Sequence, residues 1–276
     1  MEYHYIKVKI QTEIPPPYFT GSMLRGALGH ALKKVTCINP SYVCDGCFGA
    51  SSCLYYDFYE KQNTQHKYRL DVVLGSHSFD FGFYLFGDAC KSLPYVLSAL
   101  EMAVTQNGLG KNRTTYKELE ISVNDLTVYK SATFMKSINI DTKKIEIDSY
   151  TPNVKIKFLT PLRIKKSNAL EYKDIKIDNI LRSIHQRKKQ IFENVEEHSL
   201  DYTPSYITTV KALEYKPLYR RSDRQMKAIV MDGVIGEMAV IGIDKRSYEL
   251  LKIGELIAVG KQTVFGLGKI KVEEIV

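Results

Sequence analysis

Ile6, Val8 and Ile10 alternate with Lys7, Lys9 and Gln11, and this period of two predicts a strand with one buried face. Pro15, Pro16 and Pro17 end it. Thr20 is placed to cap a helix whose apolar positions, Met23, Leu24, Ala27, Leu28, Ala31, Leu32 and Val35, recur at three- and four-residue spacing. A cysteine-rich loop at 37–60 follows, then strands at Tyr68–Leu74 and Phe79–Phe86 joined by the turn pair Gly75-Ser76. Leu93, Val96, Leu97, Leu100 and Val104 mark a second helix, and after Gly108-Leu109-Gly110-Lys111 a strand is expected from Leu119 to Val128. The predicted order is β-α-β-β-α-β.

The remainder repeats it. Val154, Ile156 and Phe158 alternate with lysines, a helical stretch runs from about Ile175 to Phe192, and strands are expected at Met226–Met231 and Val234–Ile243. A short helix around Tyr248–Ile253 leads through Leu256-Ile257-Ala258-Val259 to Gly266-Leu267-Gly268-Lys269 and a last strand at Ile270 and Val272. Gly-Leu-Gly-Lys thus stands after the second helix of both halves, which argues for a structural duplication. The expected domains are 1–150 and 151–276.

Composition narrows the class. With 276 residues, 44% of them hydrophobic, the chain can bury a sizeable core in one large or two ordinary domains. The start lacks a basic segment followed by an apolar one, and no stretch of 18 uncharged apolar residues occurs, so a soluble cytoplasmic protein without membrane contact is expected. Five cysteines fit a reducing compartment better than a disulfide framework. The formal charge of +8 is uneven: residues 1–150 hold 16 Lys and Arg against 15 Asp and Glu, and residues 151–276 hold 23 against 16. An excess in one half suits a polyanion, although solvated lysines give the same sum.

Residues 260–268, Gly-Lys-Gln-Thr-Val-Phe-Gly-Leu-Gly, place three glycines and Lys261 in one loop. Glycine lets backbone N–H groups approach phosphate; a tight hairpin is the alternative. The spacing fits neither a Walker loop nor a dinucleotide fingerprint. Together with Leu24-Arg25-Gly26-Ala27-Leu28-Gly29-His30-Ala31-Leu32, Phe158-Leu159-Thr160-Pro161-Leu162-Arg163 and Gly233-Val234-Ile235-Gly236, this loop resembles the CRISPR-associated endoribonucleases of the RAMP superfamily. Those enzymes cut precursor CRISPR RNA within its repeats. The resemblance implies an α+β chain of two tandem ferredoxin-like (RRM-like) domains, with the cysteine-rich segment inserted after the first helix. It also implies binding of repeat RNA and cleavage without a catalytic metal, by 2′-hydroxyl attack leaving a 2′,3′-cyclic phosphate. A non-catalytic RAMP-type RNA-binding subunit of a CRISPR effector complex is the other expectation. Repeat RNA, effector subunits and a second copy of the chain are the partners it suggests.

Such cleavage needs a base, an acid and a cation, and histidine suits the proton transfers. Ser22, Gly26 and Gly29 form a small-residue face on the first helix, with His30 and Lys34 along its edge, where a phosphate could approach. The resemblance carries catalysis to His30, Lys34 and Tyr18; otherwise His30 flanks the core and bonds a neighbouring strand. His185, in the basic run Arg182 to Lys189, is the competitor, on a helix expected to face solvent or RNA. Arg25, Arg220, Arg221, Arg224, Gly260, Lys261, Gly266, Gly268 and Lys269 are the expected RNA contacts; for the arginine cluster, pairing with Asp223 is the alternative.

Cys37, Cys44, Cys47 and Cys53 read C-x6-C-x2-C-x5-C, a pattern that suits a structural zinc or an iron–sulfur cluster. Unligated buried thiols and a disulfide remain open. A site filled by four sulfurs keeps no position for substrate, so no metal is expected in catalysis.

Overall fold

The alternation at the start becomes strand β1 (Glu2–Ile10), with Ile6 and Val8 fully buried and Lys7 and Lys9 exposed. The computed structural model describes residues 1–135, 139–147, 149–166, 169–222 and 227–275, without the side chains of Lys166, Arg221, Ser222, Lys227 and Ala228. Two compact units result, Met1–Lys144 and Ile145–Val276.

In the first unit, helix α1 (Gly21–Thr36) buries Leu24, Leu28, Ala31 and Leu32, one stripe at helical period. Thr20 stands at its N-cap, but its side chain makes no capping bond. Strand β2 (Tyr68–Asp71) pairs with β3 (Phe79–Phe86), and helix α2 (Leu93–Met102) continues through a widened turn to Asn107. Strands β4 (Leu119–Val123) and β5 (Leu126–Lys130) form a hairpin where one strand was expected. Asn124 and Asp125 both take positive φ, as a tight hairpin turn requires, and the Asn124 side chain accepts the Tyr5 N–H at 2.9 Å. Short strands β6 (Thr133–Phe134) and β7 (Lys143–Lys144) extend the sheet. The order β2-β3-β1-β4, antiparallel throughout with α1 packed against α2, is the ferredoxin-like arrangement.

The second unit repeats that order. Strand β8 (Val154–Leu162) lies at the centre; β9 (Ile164–Lys166) and β10 (Ala169–Glu171) form a side hairpin, and α3 (Ile177–Lys188) follows. Next come β11 (Thr208–Lys216), β12 (Tyr219–Ser222), β13 (Lys227–Val230), β14 (Gly233–Ile241), α4 (Lys245–Ile257) and β15 (Ile270–Glu274). The sheet reads β11-β14-β8-β15, all antiparallel. The strand expected at Met226–Met231 does not enter it. Its described part, β13, pairs only with β12, and β11 takes the sheet position instead. Because β11 is an edge strand with none of its side chains buried, it has no apolar alternation to read. The short helix expected at Tyr248–Ile253 runs a further turn at its end, and Asp244 caps its start by accepting the Ser247 N–H at 2.9 Å.

All four glycines of the two Gly-Leu-Gly-Lys segments take positive φ, +76° and +75° at Gly108 and Gly110 and +83° and +72° at Gly266 and Gly268, but ψ differs at the first glycine, 159° at Gly108 against 14° at Gly266. A Cβ at Gly108 would overlap the Arg113 carbonyl oxygen, and one at Gly268 the Val259 carbonyl oxygen. Each half thus uses glycine after its second helix for positive φ and for one close backbone approach, at the first glycine in one half and at the second in the other.

A buried ion pair anchors the second unit. Arg163 Nη1 lies 2.6 Å from Asp232 Oδ1, and Tyr172 and Tyr215 donate to Asp232 Oδ2 at 3.0 and 2.6 Å. Burial pushes the Asp232 carboxyl upward, but the bonds from Tyr215, Arg163 and Tyr172 together hold it below the usual carboxylate range. The same hydrogen bond pushes the Tyr215 hydroxyl up to about 12.

Asp232→Ala, which strands a buried guanidinium, is expected to destabilise the second unit by about 3–5 kcal/mol at neutral pH in urea unfolding. Because the folded Asp232 pKa is depressed, that difference is present above the ordinary carboxylate pKa and shrinks as pH falls through the folded value. Gly268→Ala is expected to lower stability by at least about 1–3 kcal/mol, read from the thermal melt.

Candidate active site and RNA interface

Helix α1 carries Arg25, His30, Lys33 and Lys34 and no carboxylate, so its surface is cationic by composition. Its faces differ in access. Tyr59 lies over Gly29: an added Cβ there would sit 2.6 Å from the ring, and the Tyr59 hydroxyl donates to the Arg25 carbonyl at 3.0 Å. The Arg25 guanidinium stands 4.4 Å from the Tyr59 ring centroid, Tyr55 stacks on Tyr59 at 5.3 Å, and Lys33 Nζ stands 4.9 Å from the Tyr55 centroid. Burial drives the Tyr59 hydroxyl well above the ordinary tyrosine value, which keeps it a donor. The small-residue face is therefore half closed. Gly29 is unavailable to a phosphate, whereas Gly26 is exposed with nothing within 4 Å of an added Cβ.

His30 stands one turn beyond Gly26, exposed, and makes no hydrogen bond or ion pair with a described residue. The bond to a neighbouring strand considered for it is not formed. Lys34, a turn further on and exposed, donates to Asn107 Oδ1 at 2.9 Å. Tyr18 precedes the helix, half exposed, with its carbonyl accepting the Gly75 N–H at 2.8 Å and its ring 3.2 Å from where a Gly75 Cβ would be. Gly26, His30 and Lys34 thus follow one another a turn apart along one helix face. The cover by Tyr59 escaped the sequence reading; the aromatic run Tyr55, Tyr56, Phe58, Tyr59 was its only trace.

The competing histidine is placed differently. His185 is buried, with Nε2 3.5 Å from Glu197 Oε2, and Arg187 is buried while donating to the Ile257 carbonyl at 2.9 Å. The helix expected to face solvent or RNA instead turns both inward, with Arg182 left exposed.

In the second unit the glycine-rich loop is mostly buried. The Gly260 N–H donates to Ser183 Oγ at 2.9 Å, Gly266 to the Thr263 carbonyl at 2.9 Å, and Gly268 to the Pro161 carbonyl at 3.1 Å. Lys269 N–H donates to Thr160 Oγ1 at 2.9 Å, and Lys261 N–H to the Arg163 carbonyl at 2.9 Å. These amides are engaged within the fold, so a phosphate would meet side chains here first. Lys261 reaches solvent, and desolvation followed by the Lys165 and Arg187 charges lowers its pKa. The Arg220 guanidinium stands 4.8 Å from the Phe265 ring centroid, which brings β12 to the loop. Arg224, Asp223 and the Arg221 side chain lie outside the described residues.

Cys37, Cys44, Cys47 and Cys53 are free thiols, half buried, and all four line one cavity of about 150 Å³. Among the described residues, no group of three or more His, Cys, Asp or Glu side chains stands in metal-ligating geometry. Cys90 lies elsewhere, buried, and burial pushes its thiol up to about 11. No helix among the described residues is long and apolar enough to cross a membrane.

Comparison with known proteins gives these features a family. Residues 1–141 match the family described as AF_1859_N, an N-terminal domain, and residues 156–270 match CRISPR-associated endoribonuclease Cas6. An uncharacterized protein of Archaeoglobus fulgidus is 26% identical across 94% of this chain and 92% of its own length. Among solved structures, a Thermus thermophilus Cas6 in its product complex matches with TM-score 0.57 at 13% identity, covering 99% of both chains. A second Cas6 product complex matches at 0.55 with 11% identity, covering 99% of this chain and 100% of that one. At these identities the structures speak for the fold, and the family matches speak for kinship. Through residues 1–141 the chain belongs to the family described as AF_1859_N, and its residues 156–270 match the CRISPR-associated endoribonuclease Cas6 family.

Proposed function

We propose that this protein is a metal-independent endoribonuclease that binds CRISPR repeat RNA and cuts precursor CRISPR RNA, with the reaction on the exposed face of α1. The observation that carries the reading is His30, a solvent-facing imidazole with no partner among the described residues. It stands on a helix without carboxylates, one turn from the open surface at Gly26, in a chain whose second half matches the Cas6 endoribonuclease family. An exposed imidazole not held by a carboxylate is free to approach the reacting oxygens and serve in proton transfer.

In the proposed step the ribose 2′-oxygen attacks the adjacent phosphorus, the bond from phosphorus to the 5′-oxygen breaks, and a 2′,3′-cyclic phosphate and a 5′-hydroxyl result. His30 serves one of the two proton transfers. Lys34 turns from Asn107 toward the phosphorane to offset its charge, and Tyr18 supplies a second hydroxyl for proton transfer or positioning. Arg25, Lys261 and Lys269 contact the RNA backbone through their side chains, with Arg220, Arg221 and Arg224 alongside. Gly260, Gly266 and Gly268 hold the loop that presents Lys261 and Lys269. No proton transfer in this scheme requires a metal ion.

End-labelled repeat RNA incubated with the purified protein in buffer free of added divalent cation is expected to be cut, and a 2′-deoxy nucleotide at the cut site to block it. His30→Ala is expected to slow cleavage by at least about a hundredfold with RNA affinity retained. Cleavage by His30→Ala at the wild-type rate would remove His30 from the mechanism. Tight binding without cleavage by the wild-type chain would make it an RNA-holding subunit. Gly26→Ala separates fold from function: it is expected to raise stability by about 0.5–1 kcal/mol, because alanine suits a helix interior better, and yet to slow cleavage by narrowing the approach to His30.

A further inference from the structure

The segment between α1 and β2 presents a physical problem that its own side chains do not solve. From Cys37 to Lys67 only Phe58 is buried, and the regular structure amounts to a 3₁₀ turn at Ala50–Ser52 and a widened helical turn at Tyr56–Glu60. A connection of this length with so little apolar burial does not hold one conformation by packing alone. Yet its far end is placed with care: Phe58 stacks on Tyr68 at 4.4 Å, and Tyr55 and Tyr59 cover Lys33, Arg25 and Gly29 of the helix.

We infer that Cys37, Cys44, Cys47 and Cys53 bind one zinc ion that staples this segment to the end of α1. Four thiols from three parts of the segment line a single cavity of about 150 Å³, and none is joined in a disulfide. Cys37 is the C-cap residue of α1, and Cys53 opens the turn that carries the tyrosines, its carbonyl accepting the Asp57 N–H at 3.0 Å. Cys44 and Cys47 flank a tight turn in which the Cys47 N–H donates to the Cys44 carbonyl at 3.2 Å, and Gly46 takes φ of +65° to close it. Among the described residues the side chains are not already gathered in ligating geometry, so binding requires rotations about Cα–Cβ that bring the sulfurs into the shared cavity, to about 2.3 Å from the metal. Each thiol releases its proton to solvent as its bond to zinc forms, so affinity falls as pH falls. The completed site carries a net charge of about −2.

With four sulfur ligands the ion has no open position for water or RNA, so its work is mechanical. It fixes residues 53–60, and through Tyr55 and Tyr59 it fixes which face of α1 is covered and which is left open at Gly26 and His30. The site stands independently of whether the protein cuts RNA.

The test uses the full chain under reducing conditions. Apo protein, prepared with a chelator, is titrated with cobalt(II), whose absorption reports sulfur ligation and tetrahedral geometry, and zinc is then added. The expected result is saturation near one cobalt per chain, with sulfur-to-cobalt charge-transfer bands that zinc abolishes. Cys44→Ser combined with Cys47→Ser is expected to remove the signal, and Cys90→Ser to retain it. Limited proteolysis supplies a readout that does not depend on those variants: cuts within 37–60 are expected to be several-fold slower in the zinc-loaded wild type than in the apo protein. A wild-type chain that gives no cobalt–thiolate spectrum overturns the site. Equal proteolysis of 37–60 with and without zinc overturns its stapling role.

Discussion

Taking a guanidinium out of water is costly unless its charge and its N–H groups are met, and in the second unit the pairing of Arg163 organises the surroundings of the glycine-rich loop. Arg163 leaves β8, and its guanidinium finds Asp232 just before β14. Two tyrosines, one beside β10 and one in β11, close the remaining positions on the carboxylate. The Arg163 backbone also meets Gly260 and accepts the Lys261 N–H. Pairing within the core therefore fixes where an exposed lysine emerges. The loop is a rigid mount, with its amides used up in holding it.

The first unit reaches an accessible site by a different means. Its helix is packed on one face by the sheet, and on an adjoining face by an aromatic ladder from a distant part of the chain. What stays open is the remainder, the strip bearing Gly26 and His30. Exclusion does the positioning here: Tyr59 fits because Gly29 has no side chain, and Gly26 stays open because no ring reaches it.

Much of this was legible in the sequence where a residue type answers to one physical demand. Alternation gave β1 and β8, and the three-and-four stripe gave α1. The repeated Gly-Leu-Gly-Lys marked the positive-φ positions that follow the second helix of each half, though the two turns differ in ψ at their first glycine. Legibility failed where the deciding neighbour lies far along the chain. Thr208–Lys216 is a strand because β14 pairs with it, and an edge strand without buried side chains leaves no periodic trace. The basic run from Arg182 to Lys189 read as surface because nothing local announced that Glu197 and the Ile257 carbonyl would receive His185 and Arg187. Asn124-Asp125 was a local signal passed over inside an apolar run. Asp232, a lone acid between Met231 and Gly233, marked the buried pair without naming its partner.

The sheet order of the first unit also bears on how the chain is made. Its central strand, β1, is synthesised first, and the strands that flank it are β3 and β4. Until Phe79–Phe86 and then Leu119–Val123 have left the ribosome, β1 carries unpaired backbone on both edges and an apolar face with little to cover it. The nascent chain is most exposed to wrong pairing during that interval, and the lysines alternating along β1 lie where charge opposes such pairing.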